Sequence, residues 1–244
     1  MTTWQYDIEL HTFNSRQDMV LALADATQSS LLQTIADEGA VTWFVSGGST
    51  PQPLFEEMCK RSLPWQHISI ALVDERWVGL SHARSNEAFV RKHLACAEAE
   101  AAQIISMKTE HSDPFLGAAA VEEAYQALPP AGPLLLGMGP DGHTASLFPD
   151  AEGLEAALAE PSERLTAPIR ALESQVTGAE VERSTLTLAA IKKARFPHLM
   201  ITGEEKRAVL IDALEAGGSH IGLRLPVARV IQAMAMPLTV YWAP

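Results

Sequence analysis

The chain has 244 residues, 47% of them hydrophobic, which is enough to bury the core of one domain. Its Lys and Arg number 18 against 30 Asp and Glu, and the net charge of −12 argues against nucleic acid and anionic membranes as partners. A small anionic ligand stays open, because salt screens the surface field beyond about 8 Å and a local cluster of donors wins inside a cleft.

Tyr6, Ile8 and Leu10 alternate with polar residues as in a half-buried strand. Ser15 reads as a helix N-cap, with Asp18 three residues on, and the apolar positions Met19 to Ile35 continue that helix up to Gly39. Val41–Val45 is a short apolar strand. Pro51 suits the first turn of a helix through Leu54, Phe55 and Met58. Ile68–Val73 is a strand, and Ser85 opens a helix through Phe89, Val90 and Leu94. Gln103–Met107 reads as a strand and Asp113–Leu128 as a helix. Leu134–Met138 is a buried strand, and Ala151–Ala159 a short helix. From Glu160 to Gly178 the punctuation by Pro161, Pro168 and Gly178 leaves no assigned element. Ser184–Leu188 and Leu199–Thr202 are strands, Glu204–Glu215 is a helix, and Leu238–Trp242 is a closing strand. Strands separated by helix-length segments predict an α/β fold: a mainly parallel sheet with helices on both faces, in a single domain over residues 1–244.

Residues 1–10 lack the basic-then-apolar pattern of a secretory leader. Apolar runs such as Leu134–Leu136 fall far short of the roughly 20 residues of a membrane span. A cytoplasmic protein without membrane contact is therefore expected. Cys59 and Cys96 show neither CxxC nor Cys/His spacing, so the expectation is two small buried thiols, not a disulfide framework or a zinc site.

In open parallel sheets ligands bind beyond the carboxyl ends of the strands, so the residues just after each strand matter most. Ser46-Gly47-Gly48-Ser49-Thr50-Pro51 follows the Val41 strand and opens a helix. Glycines let backbone approach an anion, and free N–H groups with two hydroxyls supply donors, which makes a phosphate cradle. This turn matches neither GxxxxGK[ST] nor GxGxxG, and a plain turn with a Ser/Thr cap explains its spacing equally well. Asp74-Glu75-Arg76-Trp77 follows the Ile68 strand. Arg76 offers a planar fork for an anion and Asp74 an acceptor for a base or a sugar hydroxyl; a local ion pair beside a packed Trp77 is the plainer explanation. Gly137–Pro149 is a glycine-rich loop after the most apolar strand, and it carries His143, the side chain best matched to proton transfer near neutral pH. Arg183 lies before the Thr185 strand and Lys206 in the first turn after Gly203. Each is a further donor for an anion or else a solvated surface charge. HExxH, GxSxG and EF-hand patterns are missing, so a serine nucleophile is unsupported and no metal or cofactor is required.

The segments Gly47–Pro51 (GGSTP), Asp74–Val78 (DERWV), Ser85-Asn86 with GluAlaPhe, Gly137–Pro149 (GMGPDGHTASLFP), Arg183–Thr187 (RSTLT) and Ile201–Lys206 (ITGEEK) occur in this order. Over nearly the whole chain they resemble the 6-phosphogluconolactonase family, itself related to the glucosamine-6-phosphate deaminases. The resemblance implies a Rossmann-like fold and hydrolysis of 6-phospho-D-glucono-1,5-lactone in the oxidative pentose phosphate pathway. Deaminases read DGHIAFNEP at the histidine loop; Leu147-Phe148 replaces the carboxylate here and favours lactone hydrolysis. Two departures stand out: Thr177–Glu182 replaces prolines usual before the Arg183 strand, and Tyr241–Pro244 replaces a usual acidic residue.

The expected chemistry has His143 as general base on water. Arg76 or loop N–H groups of residues 139–144 meet the oxyanion, and Asp74 or Asp141 orients the imidazole. Gly47, Gly48, Ser49, Thr50, Asn86, Gly139, Asp141, Arg183 and Lys206 are expected to bind the sugar phosphate, with the choice among Arg76, Arg183 and Lys206 for phosphate left open. The alternatives are an amino-sugar-phosphate isomerase or deaminase, and a non-catalytic sugar-phosphate sensor. A sensor lacks an effector or DNA-binding segment in this acidic sequence.

Overall fold

The computed structural model describes residues 7–215, 225–234 and 236–244. Tyr6, expected in the first strand, lies outside the described residues. Ten strands and eight α-helices follow in the order β1 (Ile8–Thr12), α1 (Arg16–Glu38), β2 (Val41–Val45), α2 (Gln52–Met58), β3 (Ile68–Leu72), β4 (Asp74–Arg76), α3 (Asn86–His93), β5 (Gln103–Ile105), α4 (Pro114–Gln126), β6 (Ala131–Leu136), α5 (Leu154–Ala157), β7 (Thr166–Arg170), β8 (Glu182–Leu186), α6 (Leu188–Lys192), β9 (Phe196–Thr202), α7 (Glu204–Glu215), α8 (Pro226–Ala233) and β10 (Leu238–Ala243).

Seven strands form a parallel sheet in the order β1-β10-β9-β6-β2-β3-β5. Every residue of β2 and β3 is buried, as expected where helices cover both faces of a parallel sheet. The helix α1 shows why its ends fall where they do. Ser15 Oγ accepts from the Asp18 N–H at 3.1 Å and donates to the Asp18 carboxylate at 2.7 Å. At the other end Gly39 turns left-handed with φ 81°, and its N–H closes on Ile35 O. Met19, Leu23, Ala24 and Leu31 pack that helix against the sheet in one continuous core.

From β2 the chain steps to β3 and β5 in one direction; from β6 it steps to β9 and β10 in the other. Right-handed crossovers then put α2 and α3 on one face and α4 and α7 on the opposite face. The neighbours β2 and β6 therefore send their connections to opposite sides, which opens a crevice at their carboxyl ends. The two glycine-rich loops of the sequence leave from these two strands. Pro133 lacks an N–H, and the β2–β6 ladder slips by a bulge beside it, between the Thr42–Ala131 and Phe44–Leu134 pairs.

A second, three-stranded antiparallel sheet, β4-β8-β7, was not anticipated. Asp74–Arg76, expected as a loop, is a strand of this sheet, paired Asp74 with Thr185 and Arg76 with Arg183. Arg183, expected ahead of its strand, sits inside β8 and is buried. The segment with no assigned element contains β7, an edge strand that tolerates Pro168. The short helices α6 and α8 likewise have no signature in the sequence pattern. The leaving of the main sheet at Val73 carries β4 and β8 across the crevice, with Leu186 N–H donating to Val73 O at 2.8 Å.

Candidate active site

A cavity of about 400 Å³ occupies the crevice, bounded by residues 46–51, the 137–148 loop, Asp74, Arg76, Asn86, Arg183 and Lys206. Strand alternation explains one wall. Asp74 and Arg76 are two apart on β4 and share a face with their partners Thr185 and Arg183. Glu75 points the other way, to α3, where its carboxylate accepts from the N–H groups of Asn86 and Glu87, both at 2.8 Å, and from Ser85 Oγ at 3.0 Å. Burial pushes the Glu75 pKa up, while those donors favour the charged form.

The turn after β2 approaches α3 so closely that a Cβ on Gly47 would lie 2.1 Å from Asn86 Oδ1. Gly48 takes φ +93°, a left-handed conformation suited to glycine. Ser46 Oγ donates to Leu135 O at 2.9 Å and ties the turn to β6. Ser49 stands exposed at the mouth, with Thr50 half-buried beside it.

His143 is held from two sides. Its Nδ1 lies 2.5 Å from Asp141 Oδ1, and its ring packs on Phe148 at 4.3 Å between centroids. Burial pushes the Asp141 pKa up, but the hydrogen bond and charge of His143 outweigh it and hold the carboxyl below its usual range. An ionised carboxylate only accepts, so Nδ1 carries the proton and Nε2 is the basic nitrogen. The loop itself is tied down by Thr144 Oγ1 on Gly137 O at 2.8 Å, by Ser146 N–H on Thr185 Oγ1 at 3.1 Å, and by Val227 N–H of α8 on Gly142 O at 3.0 Å.

Of the two carboxylates considered as partners of the imidazole, Asp141 is the one in contact. Asp74 is engaged elsewhere: Oδ2 accepts from Ser146 Oγ at 2.6 Å and Oδ1 from Asn86 Nδ2 at 3.2 Å, and Arg183 Nη1 stands 4.0 Å away. The expected loop N–H donors are largely spent. Gly139 N–H donates to His143 O, Gly142 N–H to Gly139 O, and His143 N–H to Asp141. Arg76 keeps more capacity: Nη1 donates to Arg84 O at 2.6 Å, and Nε has no acceptor among the described residues.

Arg183 is buried, with Nε on Glu180 O at 2.8 Å and Nη2 on Thr177 O at 2.7 Å, and its guanidinium lies over Phe148 at 5.2 Å. Burial lowers its pKa to about 10, opposed by Asp74 and reinforced by Arg76 and Arg84. Lys206, in the first turn of α7, is also lowered by burial, with Glu205 opposing. Neither is the solvated surface charge that the sequence alone left open. The sequence gives no signal for Ser146, Arg84 or the lining residues Val176 and Met200 as site residues. Ser146 lies inside the histidine motif, but no spacing marks it, whereas Phe148 is marked by the departure from the deaminase pattern.

Cations thus line the crevice of a protein with net charge −12, next to an imidazole aimed by a carboxylate. A switch-point cleft of this kind belongs to the Rossmann-like α/β enzymes that act on small anionic substrates. A family model described as glucosamine-6-phosphate isomerases/6-phosphogluconolactonase matches residues 14–242, and the chain belongs to this family. A 6-phosphogluconolactonase of Mesorhizobium japonicum is 37% identical, with 96% of this chain and 94% of the relative covered. One of Pseudomonas aeruginosa is 35% identical, covering 97% and 95%. The crystal structure of a 6-phosphogluconolactonase from Shewanella baltica superposes with a TM-score of 0.90 at 32% identity, covering 99% of this chain and all of that one. A monomeric glucosamine-6-phosphate deaminase shares the fold, with a TM-score of 0.76 at 13% identity.

Proposed function

We propose that the protein hydrolyses 6-phospho-D-glucono-1,5-lactone to 6-phosphogluconate in the oxidative pentose phosphate pathway. The observation that carries this reading is that His143, held by Asp141 from behind, lines the same 400 Å³ cleft as the Gly47–Thr50 turn, Arg183 and Lys206. The names of the relatives support it.

In this reading His143 Nε2 takes a proton from water as its oxygen attacks the lactone carbonyl. General-base assistance of this kind is typically worth about 10²–10⁴ in rate. Arg76 meets the oxyanion. The carbon–ring-oxygen bond then breaks, and His143 returns the proton to the leaving oxygen. The imidazole activates the water, so the scheme calls on no metal or cofactor. Gly47, Gly48, Ser49 and Thr50 with Arg183 and Lys206 hold the phosphoryl group, which fixes the neutral lactone end by remote binding. Asp74, Asn86 and Gly139 shape the sugar subsite. The deaminase reading is weakened by Leu147-Phe148: Phe148 is apolar, buried and packed on His143, where the deaminase pattern has a carboxylate.

The chain works in this reading as one sugar-phosphate hydrolase domain, supported by its single continuous core and by the family match over residues 14–242. We place it in the cytoplasm, where free thiols such as Cys59 and Cys96 persist. No described helix is long and apolar enough to cross a membrane. The acidic charge supports a small-molecule substrate over nucleic acid. The test generates the lactone in situ and follows acid release with and without protein, subtracting spontaneous opening. No acceleration, or ammonia release from glucosamine 6-phosphate instead, overturns the reading.

A further inference from the structure

Arg84 lies outside the cavity lining, yet it bonds one cavity arginine of the second sheet directly and shares an acceptor with the other. Its carbonyl accepts Arg76 Nη1 at 2.6 Å. Its own Nη2 donates to Thr177 O at 3.1 Å, the same oxygen that accepts Arg183 Nη2 at 2.7 Å. A carbonyl has two lone pairs, and here each takes one guanidinium. Arg84 Nε stands 3.3 Å from the Glu180 carboxylate, and Glu180 O in turn accepts Arg183 Nε at 2.8 Å. Gly178, with φ +69°, makes room for this crossing: a Cβ there would come within 3.3 Å of Arg84 Nη2.

The loop that Arg84 grips is the one in which this sequence lacks prolines. Thr177 and Ser174 brace its first half: Thr177 Oγ1 donates to Leu172 O at 2.7 Å, and Gly178 N–H donates to Ser174 O at 2.9 Å. Val176, on the same loop, forms part of the cleft wall. Three cations crowd together here, Arg76, Arg84 and Arg183, and each repels the others unless an acceptor fixes it. The shared carbonyl and the Glu180 pair supply that fixing.

We propose that Arg84 is a positioning residue of the active site, which sets the aim of Arg183 at the substrate phosphoryl group by clamping the Thr177 carbonyl, and steadies Arg76 through its own backbone. The Arg84–Glu180 pair is partly exposed, so it adds little to global stability. Its value lies in geometry, where a misplacement of 1 Å can cost up to about 100-fold. This inference rests on the lactonase reading above.

The experiment compares the full chain with Arg84→Ala, Arg84→Lys and Glu180→Gln. It measures kcat and KM for the phosphorylated lactone, the Kd of 6-phosphogluconate by calorimetry, and the melting temperature. Arg84→Ala is expected to raise KM and Kd at least about fivefold, with a smaller fall in kcat and an unchanged melting temperature. Added guanidinium ion at millimolar concentration restores part of the affinity of Arg84→Ala and leaves the parent unaffected. Arg84→Lys, with a charge but no fork, recovers only part of the loss. Should Arg84→Ala fail to fold, Arg84→Lys and Glu180→Gln carry the test, and both must weaken product binding at unchanged melting temperature. Variants whose KM and Kd stay within about twofold of the parent overturn the positioning role alone. A parent chain that neither opens the lactone nor binds its product overturns the underlying reading instead.

Discussion

A Cβ built on Gly139 would lie 2.1 Å from Cε1 of His143, inside any permitted contact, so the imidazole occupies the space that a side chain at 139 would need. Gly139 does not have a positive φ, so the cost of alanine there falls on packing, against the His143 ring and against Asp141 Oδ1, which would lie 2.6 Å from the added Cβ. Gly139→Ala should push the ring off Asp141 while leaving the fold intact. We expect kcat to fall by at least about 100-fold, the size of the general-base contribution, with an unchanged circular dichroism spectrum. A near-native kcat for Gly139→Ala would mean that the observed ring position is not the working one.

His143→Ala should lower turnover by at least about 100-fold after correction for spontaneous hydrolysis. Asp141→Asn keeps the shape but removes the acceptor that fixes the imidazole tautomer, and should cost at least about tenfold in kcat with little change in KM; such orienting partners contribute up to roughly 10⁴ elsewhere. Asp141 also carries a pH signature. Its pKa is held below the usual range in the folded protein, so its stabilising contribution is present above the ordinary carboxylate value. That contribution is lost as the pH falls through the depressed folded value. Melting temperatures followed from about pH 6 to pH 3 should fall less steeply for Asp141→Asn than for the parent. Parallel curves would remove the ionised Asp141 from the account.

Local chemistry made most of the main sheet legible. Val41–Val45 matches β2 residue for residue and Glu204 marks the start of α7, because an apolar run after Gly39 and a helix after Gly203 announce themselves. The second sheet was illegible for the opposite reason. β4 has three residues, too few to show alternation, and β7 carries a proline, which argues against a strand when read without its edge position. The same gap hid part of the site. His143 and the Gly47–Thr50 turn could be read because glycine-rich loops after buried strands mark a cleft. That Arg76 and Arg183 face each other is a fact of β4–β8 pairing, a contact between distant segments that no local pattern encodes.

Arg183 and Lys206 are expected to act on binding before chemistry. Arg183→Lys keeps the charge but loses the fork held by Thr177 and Glu180, and should raise KM at least about tenfold with kcat within about threefold. The unphosphorylated gluconolactone provides the control, since its KM should barely respond. A loss confined to kcat on both substrates would assign Arg183 to the reacting carbonyl instead.

Ser146 Oγ donates to Asp74 Oδ2 at 2.6 Å, and Asp74 faces Arg183 at 4.0 Å, so the hydroxyl helps to fix a carboxylate beside that guanidinium. Ser146→Ala leaves the buried Asp74 oxygen without its donor. The expected result is a lower melting temperature, since an unsatisfied buried acceptor costs about 1–3 kcal/mol, together with a modest rise in KM. Ser146→Cys, a poorer donor of similar size, should fall between. Unchanged stability in Ser146→Ala would show that Arg183 takes over the vacated oxygen.

Lys206 gives the sharpest pH test of phosphate binding. Burial lowers its pKa, so it loses its charge at a lower pH than an ordinary lysine. The neutral amine no longer attracts a phosphoryl group, and affinity for 6-phosphogluconate should therefore decline as the pH climbs toward the lysine range, before an unperturbed side chain would respond. The stable product is the right probe, because the lactone opens unaided in alkali. Lys206→Arg retains its charge throughout this range and should flatten the decline. Identical profiles for the parent and Lys206→Arg would take Lys206 out of the phosphate site and leave Arg183 and the Gly47–Thr50 turn to hold the anion.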